Sequence, residues 1–182
     1  MLKSATLKEA MEVWSKPERL AFATSVDSSG EAQVMTVGWF TRSSFRPPTL
    51  ALVVGRERRL YRCIQESNEF VLAIPGEDQA QEILICGASS SADVDRFRQC
   101  RFITKLGNLV KAPLIENCLA NFECRVINQV DAGDHTIFIG EVVSAWIHER
   151  PTANLMLVGL ESGYKVLAEE GPYRVGVVRH HD

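Results

Sequence analysis

The sequence predicts a mainly β domain, either barrel or sandwich, with a few short helices. Three observations carry this expectation. Short apolar runs, alternating or continuous, recur along the chain, and Gly, Pro, Asp or Ser bounds each of them. The strand–helix–strand alternation that builds a parallel sheet is missing. Neither the P-loop nor the Rossmann glycine fingerprint occurs, so any nucleotide must be held in another way.

The elements follow in order. Lys3 to Glu12 reads as a short amphipathic helix. After Pro17 the texture turns to β, with Leu20, Phe22, Thr24 and Val26 alternating with smaller residues. Asp27-Ser28-Ser29-Gly30 is a turn cluster, and Gln33 to Thr41 reads as the partner strand of a hairpin. Pro47-Pro48 precedes a strand from Leu50 to Val54, and Pro75-Gly76 ends another from Phe70 to Ile74.

Two helices come next. Asp78, with Gln81 three residues on, has capping-box spacing; Ala80, Ile83 and Leu84 share a face, and Gly87 supplies the stop. Ser90 or Ser91 caps a second helix through Val94 and Phe97, with Asp93 and Asp95 in its first turns, where the helix dipole favours acids. From Ala120 to Val126, Ala120, Phe122, Cys124 and Val126 alternate with Asn121, Glu123 and Arg125, as in a half-buried strand. Thr136 to Trp146 is apolar on both sides, like a strand covered twice. Ile137, Ile139, Val143 and Ala145 form the expected inward face; Phe138, Val142 and Trp146 form the other, to be covered by a second subunit or by the helix Gln79 to Gly87.

With 182 residues, 46% of them hydrophobic and 24% charged, the chain suits one globular domain. A net charge of -3 gives no pointer to nucleic acid or to an acidic membrane surface. No run approaches the roughly 20 apolar residues of a membrane helix, and the N-terminus lacks the apolar stretch of a signal peptide, so a cytoplasmic location is expected. Cys63, Cys86, Cys100, Cys118 and Cys124 are odd in number and form no Cys-x-x-Cys pair. That argues against a disulfide framework and against structural zinc, and for reduced, buried thiols. No metal ligand set is evident.

Four stretches carry a family resemblance. They are Val34-Met35-Thr36-Val37-Gly38-Trp39-Phe40-Thr41 with Pro47-Pro48; Ile85-Cys86-Gly87 with the serine-rich run 89–91 and Asp93-Val94-Asp95-Arg96-Phe97; Ala112 to Cys124; and Gly133-Asp134-His135 leading into Ile137 to Val142. In this order they resemble the flavin reductase-like, FMN-binding split-barrel proteins, and the flavoredoxin branch in particular. The resemblance implies a Greek-key split β-barrel with a few short helices. Residues 1–16 would be a helical extension, 17–150 the FMN-binding barrel, and 151–182 an extension completing or flanking it. It also implies a homodimer.

The resemblance further implies a site. The backbone of Met35, Thr36, Val37, Gly38 and Trp39, with Thr41, would hold the flavin ring. Arg58, in a stretch with four arginines between positions 56 and 62, would hold the phosphate, with Ser90 and Arg96 reaching ring or phosphate. Family members carry Ser or Thr two residues after that arginine. Leu60 stands there instead, leaving a neighbour such as Ser43 to substitute. His135 is the catalytic candidate, hydrogen-bonding the dinucleotide or pairing with Asp134. The activity implied is hydride transfer from NADH or NADPH to FMN, then electron transfer to free flavin or another acceptor. A flavoredoxin-type carrier reduced by an electron-transfer protein, and a non-catalytic flavin binder, are the alternatives.

Overall fold

The computed structural model describes residues 2–15, 17–88, 95–149, 154–157, 164–171 and 173–178. In chain order the elements are α1 (Leu7–Trp14), β1 (Glu18–Arg19), β2 (Ala21–Val26), β3 (Ala32–Val37), β4 (Phe40–Phe45), β5 (Pro48–Gly55), α2 (Arg59–Ser67), β6 (Glu69–Ile74), α3 (Ala80–Gly87), α4 (Arg96–Gln99), β7 (Thr104–Lys105), β8 (Leu114–Ile115), β9 (Ala120–Ala132), β10 (His135–Ile147), β11 (Met156–Leu157), β12 (Tyr164–Glu170) and β13 (Tyr173–Val178).

Seven antiparallel strands pair in the order β3-β2-β6-β9-β10-β5-β4. Leu52, Val54, Phe70, Leu72 and Phe138 from three of them meet Leu60 and Ile64 of α2 in one core. This is the interior of a split barrel, and β3 and β4 are the strands at its seam. The sequence suggested one strand from Gln33 to Thr41, but the chain breaks it at Gly38-Trp39. The Phe40 N–H donates to the Gly38 carbonyl at 3.1 Å, a tight reversal. The chain thereby leaves β2 at Val37 and joins β5 at Phe40, crossing from one edge of the sheet to the other.

A second sheet, β1-β11-β13-β12, adds Leu155 and Val175 to another core beside α3. The β2–β3 turn is tied by Asp27, whose carboxylate accepts from the N–H groups of Ser29 and Glu31 at 3.0 and 2.9 Å, with Gly30 at φ +87°.

Caps move three boundaries. Thr6 and Glu9 form a reciprocal capping box, so α1 starts at Leu7 rather than near Lys3. Gln79, not Asp78, closes the entry to α3: its buried side-chain oxygen accepts from the Gly76 N–H at 3.1 Å, after a 3-10 turn over Glu77–Gln79. Asp95 caps α4 by accepting from the Arg98 N–H at 3.1 Å. Ser90 and Ser91 lie outside the described residues.

Two strand readings are corrected. Glu123 is fully buried, so β9 is not half-buried there. The segment 108–110 folds over it, and Glu123 accepts from the N–H groups of Asn108, Leu109 and Val110 at 3.1, 2.7 and 3.0 Å and from Trp146 Nε1–H at 2.7 Å. Burial raises its pKa, but the four hydrogen bonds outweigh this and hold it below the ordinary carboxylate value.

The faces of β10 are reversed from the expectation. Phe138 is fully buried in the barrel and Val142 packs on the same core, while Ile137 and Ile139 lie half-buried outside. Trp146 packs against the second core. Gly140 decides this: a Cβ on it would stand 2.6 Å from the Phe70 ring, so that side alone admits Phe70. Bulges after Ile139 and Val142 then break the simple alternation.

Candidate functional site

At the seam the Gly38-Trp39 reversal opens a cleft of about 190 Å³. Met35, Thr36, Val37, Gly38 and Trp39 line it together with Glu18, Val53, Gly55, Arg58, Gly87 and His135. A smaller pocket of about 40 Å³ adjoins it, sharing Met35 and Arg58 and adding Arg59, Leu60, Cys86 and Arg96. Eight of the ten sequence-nominated residues are thus contiguous: Met35, Thr36, Val37, Gly38, Trp39, Arg58, Arg96 and His135. Thr41 is not among them. It lines a separate cleft along β4 with Arg19 and Phe45. Ser90 is outside the described residues.

Each side chain has a local cause for its place. β3 pairs only with β2 among the described strands, so its outer edge faces the cleft with backbone groups unclaimed by a ladder. The Thr36 hydroxyl donates to the Ile83 carbonyl at 2.6 Å and so pins α3, leaving the residue's backbone toward the cleft. The absent side chain of Gly38 lets the Glu18 carboxylate lie against the backbone, 2.6–2.9 Å from where a Cβ would stand. Glu18 is a site residue that sequence reasoning missed, because nothing in its neighbourhood forms a motif.

Trp39 is about half exposed, at 52%, and its ring lies 4.9 Å from that of His135 at a 40° tilt. His135 heads β10 opposite Gly55, and its Nδ1 is 2.7 Å from Asp134 Oδ1. That bond, and the charge on His135 when protonated, hold the Asp134 carboxyl below its usual range. A carboxylate partner makes Nδ1 the protonated nitrogen of the neutral ring and leaves Nε2 as an acceptor.

The arginine cluster is differentiated. Arg56 pairs with Asp131 at 3.0 Å, and Arg59 with Glu31 at 2.8 Å. Arg58 is the N-cap residue of α2 and caps it with no side-chain bond; its Nε is 3.2 Å from Glu57. Arg96 donates to the carbonyls of Ile85 and Ala88, satisfying the C-terminal end of α3 while facing Arg58 across the small pocket. Leu60 is buried in the barrel core, so the missing hydroxyl is an apolar anchor of α2. Ser43 does not substitute for it, being bonded to Thr49 at 2.7 Å on the β4–β5 hairpin.

No helix among the described residues is long and apolar enough to cross a membrane, and no group of three or more His, Cys, Asp or Glu among them suits a metal.

Residues 15–168 match the family described as "Flavin reductase like domain". An uncharacterised protein of Archaeoglobus fulgidus is 36% identical over 110 residues, 60% of this chain and 62% of that protein. The chain spans 65% and 47% of the next two relatives, uncharacterised proteins of Pyrococcus abyssi and Aeropyrum pernix. An NADH-dependent FAD reductase of Streptomyces globisporus is 31% identical over 117 residues, 63% of each chain. Among solved structures, the flavoredoxin of Methanosarcina acetivorans superposes with a TM-score of 0.79 at 21% identity, covering 100% of this chain and 94% of that one. The Streptomyces globisporus NADH:FAD oxidoreductase gives 0.72 at 24% identity, covering 86% and 93%.

Proposed function

The chain belongs to the flavin reductase-like family, and from that premise we propose that it binds FMN at the barrel seam, accepts hydride from NADH or NADPH, and passes the electrons to free flavin or another acceptor. One observation carries the reading. The cleft bearing Trp39 and His135 adjoins the pocket bearing Arg58, Arg59 and Arg96, with Met35 and Arg58 lining both. The first suits a flat, polar-edged ring; the second suits a phosphate.

The residues fit such a group. The open edge of β3 offers backbone donors and acceptors to a ring. Arg58 stands at a helix N-terminus that a phosphate would complement. FMN supplies a hydride acceptor when bound. The chain's own part is to hold and orient. Asp134 fixes the His135 ring through Nδ1, which leaves Nε2 as an acceptor for a carboxamide N–H. Trp39, tilted over His135, narrows the space available to water.

The dimer implied by the family is supported by a different face from the one the sequence suggested. Val130, Ile137 and Val53 are in direct register across β9, β10 and β5. Val130 is 52% exposed, and Val53 also lines the cleft, so an apolar row leads from the site onto the outer surface. Sedimentation at micromolar concentration should give twice the chain mass; a monomer that binds FMN tightly would refute the pairing. The NADH-dependent flavin reductases among the relatives favour a nicotinamide donor. Stopped-flow mixing of the FMN-loaded protein with NADH tests the activity. Rapid bleaching of the flavin is expected, and no bleaching with either nucleotide would overturn the reductase reading.

A further inference from the structure

Cys86, in the last turn of α3, and Cys100, at the C-cap of α4, bring their sulfurs to 3.7 Å. Both residues are buried, Cys86 lining the small pocket beside Arg58 and Arg96 and Cys100 keeping 8% of its surface exposed. A disulfide needs about 2.05 Å, so a shift of the short α4 turn closes the gap. Arg96 already ties the two helix ends together, because its guanidinium grips the carbonyls of Ile85 and Ala88 on either side of Cys86.

We propose that Cys86 and Cys100 are a redox-active dithiol that hydrogen peroxide converts to a reversible intramolecular disulfide. This goes beyond the flavin reading and does not depend on it.

The two thiols are not equivalent. The hydrogen bond to Cys100, together with burial, pushes Cys86 far up, so it keeps its proton and donates it. The same bond, received by Cys100, brings that thiol below its ordinary range despite partial burial. Cys100 is also the less buried of the two, at 8% against 2%, and serves as the nucleophile. Its thiolate attacks one oxygen of hydrogen peroxide, the O–O bond breaks, hydroxide leaves, and Cys100 becomes a sulfenic acid. Cys86 then attacks the Cys100 sulfur; the S–S bond forms, the S–O bond breaks, and the Cys86 proton leaves with the oxygen as water. In sum, two thiols and one peroxide give one disulfide and two waters. The other cysteines are poorly placed for this. Burial pushes Cys63 up to about 11 and Cys124 up to about 12, and Cys118 donates to the Gln79 side chain at 3.4 Å.

The test treats the native full chain with a modest molar excess of hydrogen peroxide, then denatures it, alkylates it and measures intact and peptide masses. A product lighter by two hydrogens, with a Cys86–Cys100 linked peptide that dithiothreitol reverses, is expected. In Cys86→Ser, Cys100 should stop at the sulfenic acid and be captured by dimedone, with no loss of hydrogens. Five alkylatable thiols after peroxide treatment of the wild-type protein, or a disulfide joining any other pair, would overturn the proposal even if the variant failed to fold.

Discussion

Arg58→Ala separates a phosphate site from a structural arginine. Arg58 sits at the α2 N-terminus with its side chain 37% exposed, and it pairs with Glu57 at 3.2 Å. A charge-assisted hydrogen bond to a ligand phosphate is worth roughly 1.5–3 kcal/mol. At about 1.4 kcal/mol per decade, the variant should bind FMN about 10- to 100-fold more weakly. Riboflavin has the ring without the phosphate, so its affinity should not change. Glu57 competes for the same guanidinium. An exposed pair of this kind is worth about 0.2–1 kcal/mol, so Glu57→Gln should tighten FMN by no more than about fivefold and again leave riboflavin alone. Parallel titrations by flavin fluorescence quenching read both ligands. Equal losses for FMN and riboflavin in Arg58→Ala would make Arg58 structural, and no loss for either would put the phosphate elsewhere.

His135→Ala should slow flavin reduction by NADH while changing FMN affinity little; unchanged stopped-flow kinetics would return His135 to a surface turn. Thr41→Ala should leave FMN affinity as it is, because Thr41 lines the opposite cleft; a clear weakening would contradict the site's boundary. Glu123→Gln replaces an oxygen that faces N–H groups with an amide that also donates, leaving at least one buried donor unmet at about 1–3 kcal/mol, and the urea midpoint should fall accordingly. Glu123 has its folded-state pKa below the unfolded value, so its contribution is present above that unfolded value and lost as pH falls through the folded one. The stability gap between wild type and Glu123→Gln should therefore shrink on acidification. Gly140→Ala drives a methyl into the Phe70 ring and should cost about 1–3 kcal/mol, read as a lower denaturation midpoint with the fold retained.

Much of the site was legible because it lies along short stretches of chain. The run Met35 to Trp39 is a single strand and its exit, and Arg58 and His135 end elements that converge on it. What sequence could not show was three-dimensional. Glu18 reaches Gly38 from a different sheet. The period-two pattern of Ala120 to Val126 counted Glu123 as solvent-facing because it carries a charge, whereas four donors from distant positions justify its burial. β10 was apolar on both sides, so periodicity had no contrast to read. The vote was cast by Gly140, through a contact with Phe70 that lies 70 positions away by number. Thr41 was grouped with the ring-holding strand because the reversal at Gly38-Trp39 carries no strong turn signature.

The seam has a bearing on how the protein behaves when empty. β3 and β4 end the seven-stranded sheet, and each presents a row of main-chain donors and acceptors with no neighbouring strand among the described residues. Such rows are templates for sticking to other chains. A flat ligand in the cleft that β3 lines would act as a plug for the β3 row as well as a cargo. Preparations stripped of ligand should therefore cloud on storage or warming sooner than loaded ones, at equal concentration, and the loss should appear as new intermolecular sheet in the infrared amide band. Shelf life, on this view, is set by occupancy of the seam.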